Sequence, residues 1–229
     1  MKIAVLGTGD VGRTLSARLV ETGHEVVMGT RDVEKKMSDT AKDRYGNPPF
    51  SEWIKGNNKI KVGSFAESAS FGEFVINATN GENSLNALDL AMEENLAGKI
   101  LVDVSNPLDF SKGMPPSLLE GLNNTNSLGE EIQKEFPEAK VVKTFNTIWC
   151  GLMANPALLK EDHINYISGN DNEAKTKVKE LIKEFGWKDE NIMDLGDLTA
   201  ARAQESILHI WIRLWGVLNT GAFNFRIVK

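Results

Sequence analysis

The feature that most constrains the fold is a glycine pattern near the start of the chain. The apolar run 2–6 is followed at once by Gly7-Thr8-Gly9-Asp10-Val11-Gly12, and a helical pattern begins at Val11. A strand, a tight glycine turn and a helix in this order form the phosphate-binding loop of dinucleotide-binding sheets. The first glycine permits the turn, the second lets the ligand approach the backbone, and the third lets the helix pack closely. We therefore predict cofactor contacts throughout residues 7–12.

Apolar, strand-like segments alternate with amphipathic, helix-like segments along most of the chain. Strands are predicted at 2–6, 25–28, 59–63, 74–78, 99–104, 140–145 and 164–168, and helices at 11–22, 64–69, 84–96, 127–136 and 172–185. This alternation predicts an α/β fold, a Rossmann doubly wound parallel sheet. It weakens near residue 150. We therefore expect a nucleotide-binding Rossmann domain over 1–150 and a smaller, mainly helical C-terminal domain over 151–229.

Two segments interrupt the alternation. Residues 33–58 contain Gly46-Asn47-Pro48-Pro49, which predicts a long surface excursion, and residues 107–126 are rich in Pro, Gly, Ser and Asn. A last helix is predicted over about 199–218, with one broad apolar face formed by Ile207, Trp211, Leu214, Trp215 and Leu218. We interpret its tryptophans as core or dimer-contact residues rather than as the floor of an aromatic pocket.

Composition and charge argue against several classes of function. The formal net charge of -6 does not suit a nucleic-acid partner, which needs a basic surface. The longest apolar-rich stretch, 207–218, is interrupted by polar residues, so we expect no membrane partner. A single cysteine, Cys150, and an opening apolar run that stops at Gly7 predict a cytoplasmic protein without a signal peptide. The three histidines are scattered, and no metal site is predicted.

The residues after the second predicted strand bear on which dinucleotide binds. NAD-binding sheets usually end this strand in Asp or Glu, which binds the ribose 2′-hydroxyl. Here the strand ends at Met28 and Gly29-Thr30-Arg31 follow, which puts a hydroxyl and a guanidinium where the 2′-phosphate of NADP would lie. Thr30 and Arg31 are therefore predicted to select NADP(H). Asp32 leaves two alternatives open, because it either pairs with Arg31 or contacts the ribose.

Polar residues also close two further predicted strands at the carboxyl edge of the sheet, where nucleotides bind. The set beside the phosphate loop is predicted to lie near the nicotinamide ribose and consists of Asn77, Ala78 and Thr79. The next set is predicted to meet the nicotinamide amide and consists of Ser105, Asn106 and Pro107. The alternatives are a helix cap formed by Asn80 and a turn set by Asn-Pro.

A third set of residues is predicted around the second substrate. Asn146 and Thr147 follow the strand 140–145 and are predicted to line the second-substrate pocket. Lys143 lies in the middle of that strand, and we expect its side chain to point into solvent. Cys150 has no obvious thiolate-stabilising charge nearby in sequence and is interpreted as a packing residue.

Taken together, these segments resemble a known family. The run from Lys2 to Gly12, with Gly29-Thr30-Arg31-Asp32, is similar to the coenzyme F420-dependent NADP oxidoreductase family. The likeness extends through Val102-Asp103-Val104-Ser105-Asn106-Pro107-Leu108 and Val142-Lys143-Thr144-Phe145-Asn146-Thr147 and reaches residues 194–202. It therefore covers nearly the whole chain. The reductase domain of eukaryotic ferric reductases belongs to the same broad group.

The resemblance implies hydride transfer between the nicotinamide of NADP(H) and a deazaflavin, coenzyme F420, or a flavin-like acceptor. It also implies a homodimer in which the C-terminal domain covers the second-substrate cleft. Such a reaction needs ring positioning rather than an acid or base, so no catalytic residue is predicted. The segments 77–83 and 45–53 depart from the family pattern, and both bear on the deazaflavin pocket.

Other functions stay open at this point. One is an NADPH-binding redox sensor without turnover. Another is a reductase of a different small-molecule or ferric acceptor. A β-hydroxyacid or imine reductase is a third, although ~80 C-terminal residues leave little room for the long helical domain of those enzymes.

Overall fold

The computed structural model describes residues 1–42, 46–122 and 124–228. Its strands are β1 (Lys2–Leu6), β2 (Glu25–Thr30), β3 (Lys61–Ser64), β4 (Phe74–Asn77), β5 (Ile100–Asp103), β6 (Leu108–Asp109), β7 (Ser117–Leu118), β8 (Lys140–Thr144), β9 (Asn165–Gly169) and β10 (Ile192–Asp194). Within the described residues, eight strands form one sheet in the order β10-β9-β8-β5-β4-β1-β2-β3, and β6 pairs with β7. Neighbours in the large sheet are parallel except β8 and β9.

Helices cover both faces of this sheet. They are α1 (Asp10–Glu21), α2 (Val33–Ser38), α3 (Phe50–Gly56), α4 (Phe65–Phe71), α5 (Ser84–Ala91), α6 (Glu93–Leu96), α7 (Leu128–Glu135), α8 (Cys150–Ala154), α9 (Asn172–Glu184), α10 (Ala201–Ser206) and α11 (Leu208–Leu218). Short 3₁₀ turns lie at Gly81–Asn83, Pro156–Leu158, Asp189–Asn191 and Leu198–Ala200.

Strand β1 shows how the two faces are built. Successive side chains of a strand point to opposite faces. Ile3 and Val5 pack in one buried cluster with Leu15 of α1, whereas Ala4 and Leu6 pack in a second cluster with other helices. Because both faces are covered, the strand is apolar throughout, as parallel central strands usually are. The predicted doubly wound Rossmann sheet is confirmed.

The C-terminal part is mostly helical but also extends the sheet. β9 corresponds to the predicted strand 164–168, whereas β10 was not predicted, because three residues carry too little periodicity. Both strands follow residue 150, and α8 begins there. The division into 1–150 and 151–229 stays a prediction.

The last predicted helix differs from the structure. Residues 199–218 form a 3₁₀ turn, α10 and α11 in succession, with a break at Ile207. On α11 the buried residues are Leu208 and Ile212, whereas Leu218 is 50% exposed. Of the predicted apolar face, Ile207, Trp211, Leu214 and Trp215 are half-buried, so the buried side of α11 lies beside this face and overlaps it.

Candidate functional site

The glycine loop has the geometry that its sequence predicts. Gly7 has a φ of +116°, and a Cβ there would come within 2.5 Å of the Ala78 carbonyl oxygen. A Cβ at Gly12 would overlap the Gly7 carbonyl. At Gly9, by contrast, no atom of the described residues, apart from its own chain neighbours, lies within 4 Å of the Cβ position. The fold therefore requires glycine at positions 7 and 12. Gly9 leaves a surface open on which a ligand can approach the protein backbone.

The N-terminus of α1 provides the second half of this phosphate site. Gly9 is the N-cap residue, and no side chain caps the helix. The Arg13 amide donates to the Gly9 carbonyl, which closes the first helical turn behind the amides of residues 10–12. Amide groups at a helix N-terminus, aided by the helix dipole, bind phosphates. The residues present therefore fit a dinucleotide pyrophosphate.

A segment that was predicted as a surface excursion packs against this loop. Arg13 is only 9% exposed. Its guanidinium donates to the Thr8 carbonyl at 3.0 Å and to the Pro48 carbonyl at 2.8 Å, and it lies over the rings of Phe50 and Trp53. Since Phe50 is fully buried, this part of the excursion belongs to the core. Residues 43–45 of the excursion, including the start of the 45–53 departure, lie outside the described residues.

Residue Asn47 of the same segment reaches the phosphate loop. Its amide donates to the Asp10 carboxylate at 3.3 Å. Asp10 lies in the first turn of α1, where a phosphate would bind. The contact with Asn47 holds the Asp10 carboxylate toward the 33–58 segment.

At the end of β2, the structure separates the roles of three neighbours. Thr30 is 8% exposed, whereas Arg31 is exposed. Asp32 is the N-cap of α2 and accepts a hydrogen bond from the Lys35 amide at 2.9 Å. In the described part of the chain, no carboxylate lies within 4.0 Å of the Arg31 guanidinium. Arg31 is therefore a cation available to an anionic ligand.

The ends of β4 and β5 are joined by buried polar side chains. Asn77 is fully buried, and its amide donates to Asp103 at 3.0 Å and to Ser84 at 3.1 Å. The Asn77 oxygen accepts a bond from the Thr79 hydroxyl at 2.6 Å, and Ser105 donates its hydroxyl to Asp103 at 2.6 Å. The Asn77 side chain thus lies beneath the site and orients Thr79, whose side chain is half-buried like that of Ala78.

A tight backbone contact holds the same two loops together. A Cβ at Gly81 would overlap the carbonyl of Asn106. The Asn80 side chain accepts a hydrogen bond from the Glu82 amide, so it caps the short turn Gly81–Asn83. The capping alternative assigned Asn80 to the helix that begins near Ser84, but the N-cap of α5 is Asn83.

The segment after β8 makes a sharp turn toward the β5 loop. Phe145 has a φ of +62°, which is uncommon for a bulky residue. The backbone N–H of Asn146 donates to the Thr144 carbonyl at 2.7 Å. The turn brings Asn146 against Asn106. The side-chain amide of Asn106 donates to the backbone carbonyl of Asn146 at 2.7 Å. In return, the side-chain amide of Asn146 donates to the side-chain oxygen of Asn106 at 2.9 Å. We call this pair of bonds the asparagine clamp.

The predicted residues at this edge differ in exposure. Asn106 is half-buried, whereas Ser105 and Pro107 are buried. Asn146 and Thr147 are 3% and 1% exposed, so they lie behind the surface of the cleft. The assignment of these residues to cofactor and second-substrate contacts stays a prediction.

Lys143 does not point into solvent, and that expectation was wrong. Its side chain is completely buried and forms 2.8 Å ion pairs with Asp103 and Glu205. It also donates to the Ser105 carbonyl at 2.8 Å. The reason is that β8 lies inside a sheet covered on both faces, and its residues 141–144 are all buried. Burial alone would lower the pKa of Lys143, but the two carboxylates outweigh it and raise that pKa.

Two residues near the end of β8 have contrasting surroundings. Trp149 is 39% exposed, and its ring lies against the backbone of Gly151 and Gly221, where any side chain would collide with it. Cys150 is half-buried, and burial raises the pKa of its thiol. A raised pKa leaves little thiolate, which agrees with a packing role for Cys150.

Two negative findings apply to residues 1–42, 46–122 and 124–228. Among them, no helix is long and apolar enough to cross a membrane. The same residues contain no group of three or more His, Cys, Asp or Glu side chains placed to hold a metal ion.

Comparisons with known proteins give a consistent assignment. Residues 2–107 match the family described as NADP oxidoreductase, coenzyme F420-dependent. A crystal structure from Arthrobacter sp. FB24, whose name assigns it as an F420-dependent NADP reductase, is 50% identical with a TM-score of 0.93 and covers 100% of both chains. The F420-dependent NADP reductase of Methanothermobacter marburgensis is 28% identical over 93% of this chain and 92% of its own.

A second group of relatives is longer than this chain. Metalloreductase STEAP3 of Rattus norvegicus is 33% identical over 90% of this chain. That match spans only 36% of the metalloreductase, so the likeness concerns one part of a larger protein. The glycine loop, the doubly wound sheet and the full-length 50% identity agree. The chain belongs to the coenzyme F420-dependent NADP oxidoreductase family.

Proposed function

We propose that the protein binds NADPH across the carboxyl edge of the sheet and transfers its hydride to a planar deazaflavin or flavin acceptor. The proposal that NADPH binds here rests on one observation, the open surface at Gly9 beside the N-terminus of α1, which no side chain of the described residues caps. The pyrophosphate lies on residues 7–12, and the 2′-phosphate lies against Thr30 and Arg31. Thr79 and the Ser105–Asn106 turn hold the nicotinamide end.

NADPH, when bound, supplies a hydride from C4 of its ring. The acceptor takes this hydride and one proton from solvent, so that NADPH, oxidised acceptor and a proton give NADP⁺ and reduced acceptor. The chain's own residues position the rings and exclude water. The charged side chains at the ends of β5 and β8, Asp103 and Lys143, are sealed from the cleft, which suits a reaction without an acid or base on the protein.

Ring positioning rests on the asparagine clamp. The clamp ties the loop after β5 to the loop after β8, and Asn146 also donates to the Gln204 carbonyl of α10 at 2.9 Å. Movement of any one of these three elements therefore displaces Asn106. Trp149, partly exposed next to this edge, provides an aromatic surface against which a planar acceptor can stack.

A ferric chelate is a second candidate acceptor, favoured by the 33% identity to a metalloreductase. Each ferric ion takes one electron, so one NADPH would reduce two ferric ions and release one proton. We also propose a homodimer. On α11, Ile210, Val217 and Leu218 are 48%, 76% and 50% exposed, and an exposed apolar helix face of this kind suits burial against a second copy.

The test mixes the purified protein with NADPH and, in separate samples, oxidised F420, a flavin or a ferric chelate, and follows the absorbance of donor and acceptor together. We expect coupled loss of the NADPH and F420 bands. Coupled loss with flavin or iron alone would reassign the acceptor. The matched control is Gly9→Val, since the open space there accepts a side chain without a clash in the fold but blocks the phosphate. NADPH binding without oxidation by any acceptor would refute the proposed reaction.

A further inference from the structure

Three charges are buried together beneath the nicotinamide end of the site. Asp103 ends β5, Lys143 lies on β8 and Glu205 lies on α10, and none of the three side chains is more than 1% exposed. The Lys143 ammonium uses its three donors on Asp103, Glu205 and the Ser105 carbonyl, each at 2.8 Å. We call these residues the buried triad.

Hydrogen bonding fixes the charge of each carboxylate. One Asp103 oxygen accepts bonds from the Asn77 amide and from the Ser105 backbone N–H and hydroxyl, and the other accepts from Lys143. Glu205 accepts from the backbone N–H groups of Leu128 and Gly129 at 2.9 and 3.1 Å as well as from Lys143. Burial raises the pKa of Glu205, but every hydrogen-bond partner of the two carboxylates is a donor, and donors stabilise the ionised form. The triad therefore carries two negative charges and one positive charge.

A buried cluster with unequal charges is a costly arrangement. Buried ion pairs contribute little net stability even when balanced, because the desolvation of each charge offsets the attraction. Here one negative charge is left over, and among the residues that the structure describes it is compensated by hydrogen bonds and by the N-terminus of α7. The triad bonds directly to the Ser105 carbonyl, one residue before Asn106. Its excess charge thus lies next to the place where we have put the nicotinamide ring.

The nicotinamide ring is neutral in NADPH and positively charged in NADP⁺. We propose that the excess negative charge of the buried triad stabilises bound NADP⁺ relative to bound NADPH, and so makes bound NADPH a stronger hydride donor. This inference rests on the proposed function, because it needs the nicotinamide near Asn106. It assigns to Glu205 and Asp103 an electrostatic action on the cofactor that involves no contact with it.

The expected size follows from Coulomb's law. A unit charge at roughly 10 Å, with an effective dielectric constant of about 20, changes a binding ratio on the order of tenfold. Neutralising the triad should therefore raise the ratio of the NADP⁺ to the NADPH dissociation constant by roughly tenfold. For a two-electron couple this corresponds to about 30 mV in the potential of the bound cofactor.

Two variants separate charge from structure. Glu205→Gln leaves Asp103 and Lys143, so the excess charge is lost. Lys143→Met combined with Glu205→Gln leaves Asp103 alone, so the excess negative charge returns although a second triad member is gone. The ratio of dissociation constants should rise in the single variant and return toward the parent value in the double variant. A merely structural role would instead make the double variant the more affected of the two.

The measurement is the dissociation constant of NADPH and of NADP⁺ for each protein by calorimetry, with folding checked by circular dichroism. Glu130→Gln is the matched control, because Glu130 lies on α7, pairs with Arg202 of α10 near the surface, and should leave the ratio unchanged. If Glu205→Gln fails to fold, Asp103→Asn neutralises the same excess charge from β5. An unchanged ratio, or a double variant that does not recover, overturns the inference. Failure of the parent to bind either form would instead refute the proposed function.

Discussion

Replacement of Lys143 by methionine removes the only cation of the buried triad. Methionine fills nearly the same volume and makes no ion pair, so the change in packing is small. Asp103 and Glu205, both sealed from water, then face each other without Lys143 between them. The Ser105 carbonyl also loses the bond that Lys143 donated. We expect the free energy of unfolding to fall by about 3–5 kcal/mol near neutral pH, the usual result of removing one partner from a buried ion pair.

The loss depends on pH in a direction that the pKa shifts set. Burial raises the pKa of Glu205 above its ordinary value of 4.5, and loss of the Lys143 charge raises it further. A carboxyl group with a raised pKa in the folded state destabilises the protein as the pH rises through that pKa, and the penalty vanishes below the unfolded value. In the parent, the raised pKa of Lys143 keeps it charged well into the alkaline range. The difference in the free energy of unfolding between parent and variant should therefore be largest near pH 8 and smaller near pH 5. Between these pH values it should change by an amount on the order of several tenths of a kcal/mol to whole kcal/mol.

Urea unfolding at both pH values measures this directly. Lys140→Met is the control, because Lys140 lies on the same strand and pairs with Asp171 at 3.0 Å, with 39% and 32% of the two side chains exposed. An exposed pair of this kind contributes at most about 1 kcal/mol. Equal urea midpoints for parent and Lys143→Met near pH 8, or a loss that grows toward pH 5, would contradict the charge-based reasoning.

Two further variants test the cofactor site. Arg31→Ala should weaken NADPH binding by roughly tenfold or more and leave NADH binding unchanged, because a charge-assisted bond to the 2′-phosphate is lost. Calorimetric titration measures both affinities, and Arg226→Ala, at another exposed arginine, is the control. An unchanged NADPH affinity would refute the assignment of Arg31. Asn106→Ala breaks both bonds of the asparagine clamp. It should slow hydride transfer by roughly tenfold or more in single-turnover kinetics with little change in the NADPH dissociation constant. Parental kinetics would remove Asn106 from the site.

Most of the fold could be predicted because its signals are local. The strand–glycine–helix unit of β1 and α1 lies within a continuous stretch of residues, and each glycine has a stated geometric task. The failures also have local causes. Met92 adopts a φ of +73° and divides the predicted helix 84–96 into α5 and α6, and a residue of this type gives no sequence signal for such a break. The break at Ile207 likewise falls on a residue that is not a helix breaker.

The geometry of the glycine loop was predictable for the same reason, since the loop is one continuous stretch of backbone. The excursion against it was not, because Arg13 and Pro48 are 35 residues apart and only tertiary packing joins them. Lys143 was misread although a signal existed. A central strand of a doubly wound sheet has no solvent face, so a lysine in its middle must be buried and paired. The sequence could have predicted the pairing but not the partners, because Glu205 lies on a distant helix.

The two halves of the site therefore depend on the sequence in different ways. The phosphate end needs a few glycines and one helix terminus, so substitutions elsewhere should leave it intact. The proposed nicotinamide end is built from side chains of β4, β5, β8 and α10, linked through Asp103, Lys143, Glu205 and the asparagine clamp. A change in α10 can therefore alter the ring end without touching the cofactor. Because residues 201–206 include Glu205, we expect substitutions there to change hydride transfer and the preference between NADP⁺ and NADPH while the phosphate contacts stay the same.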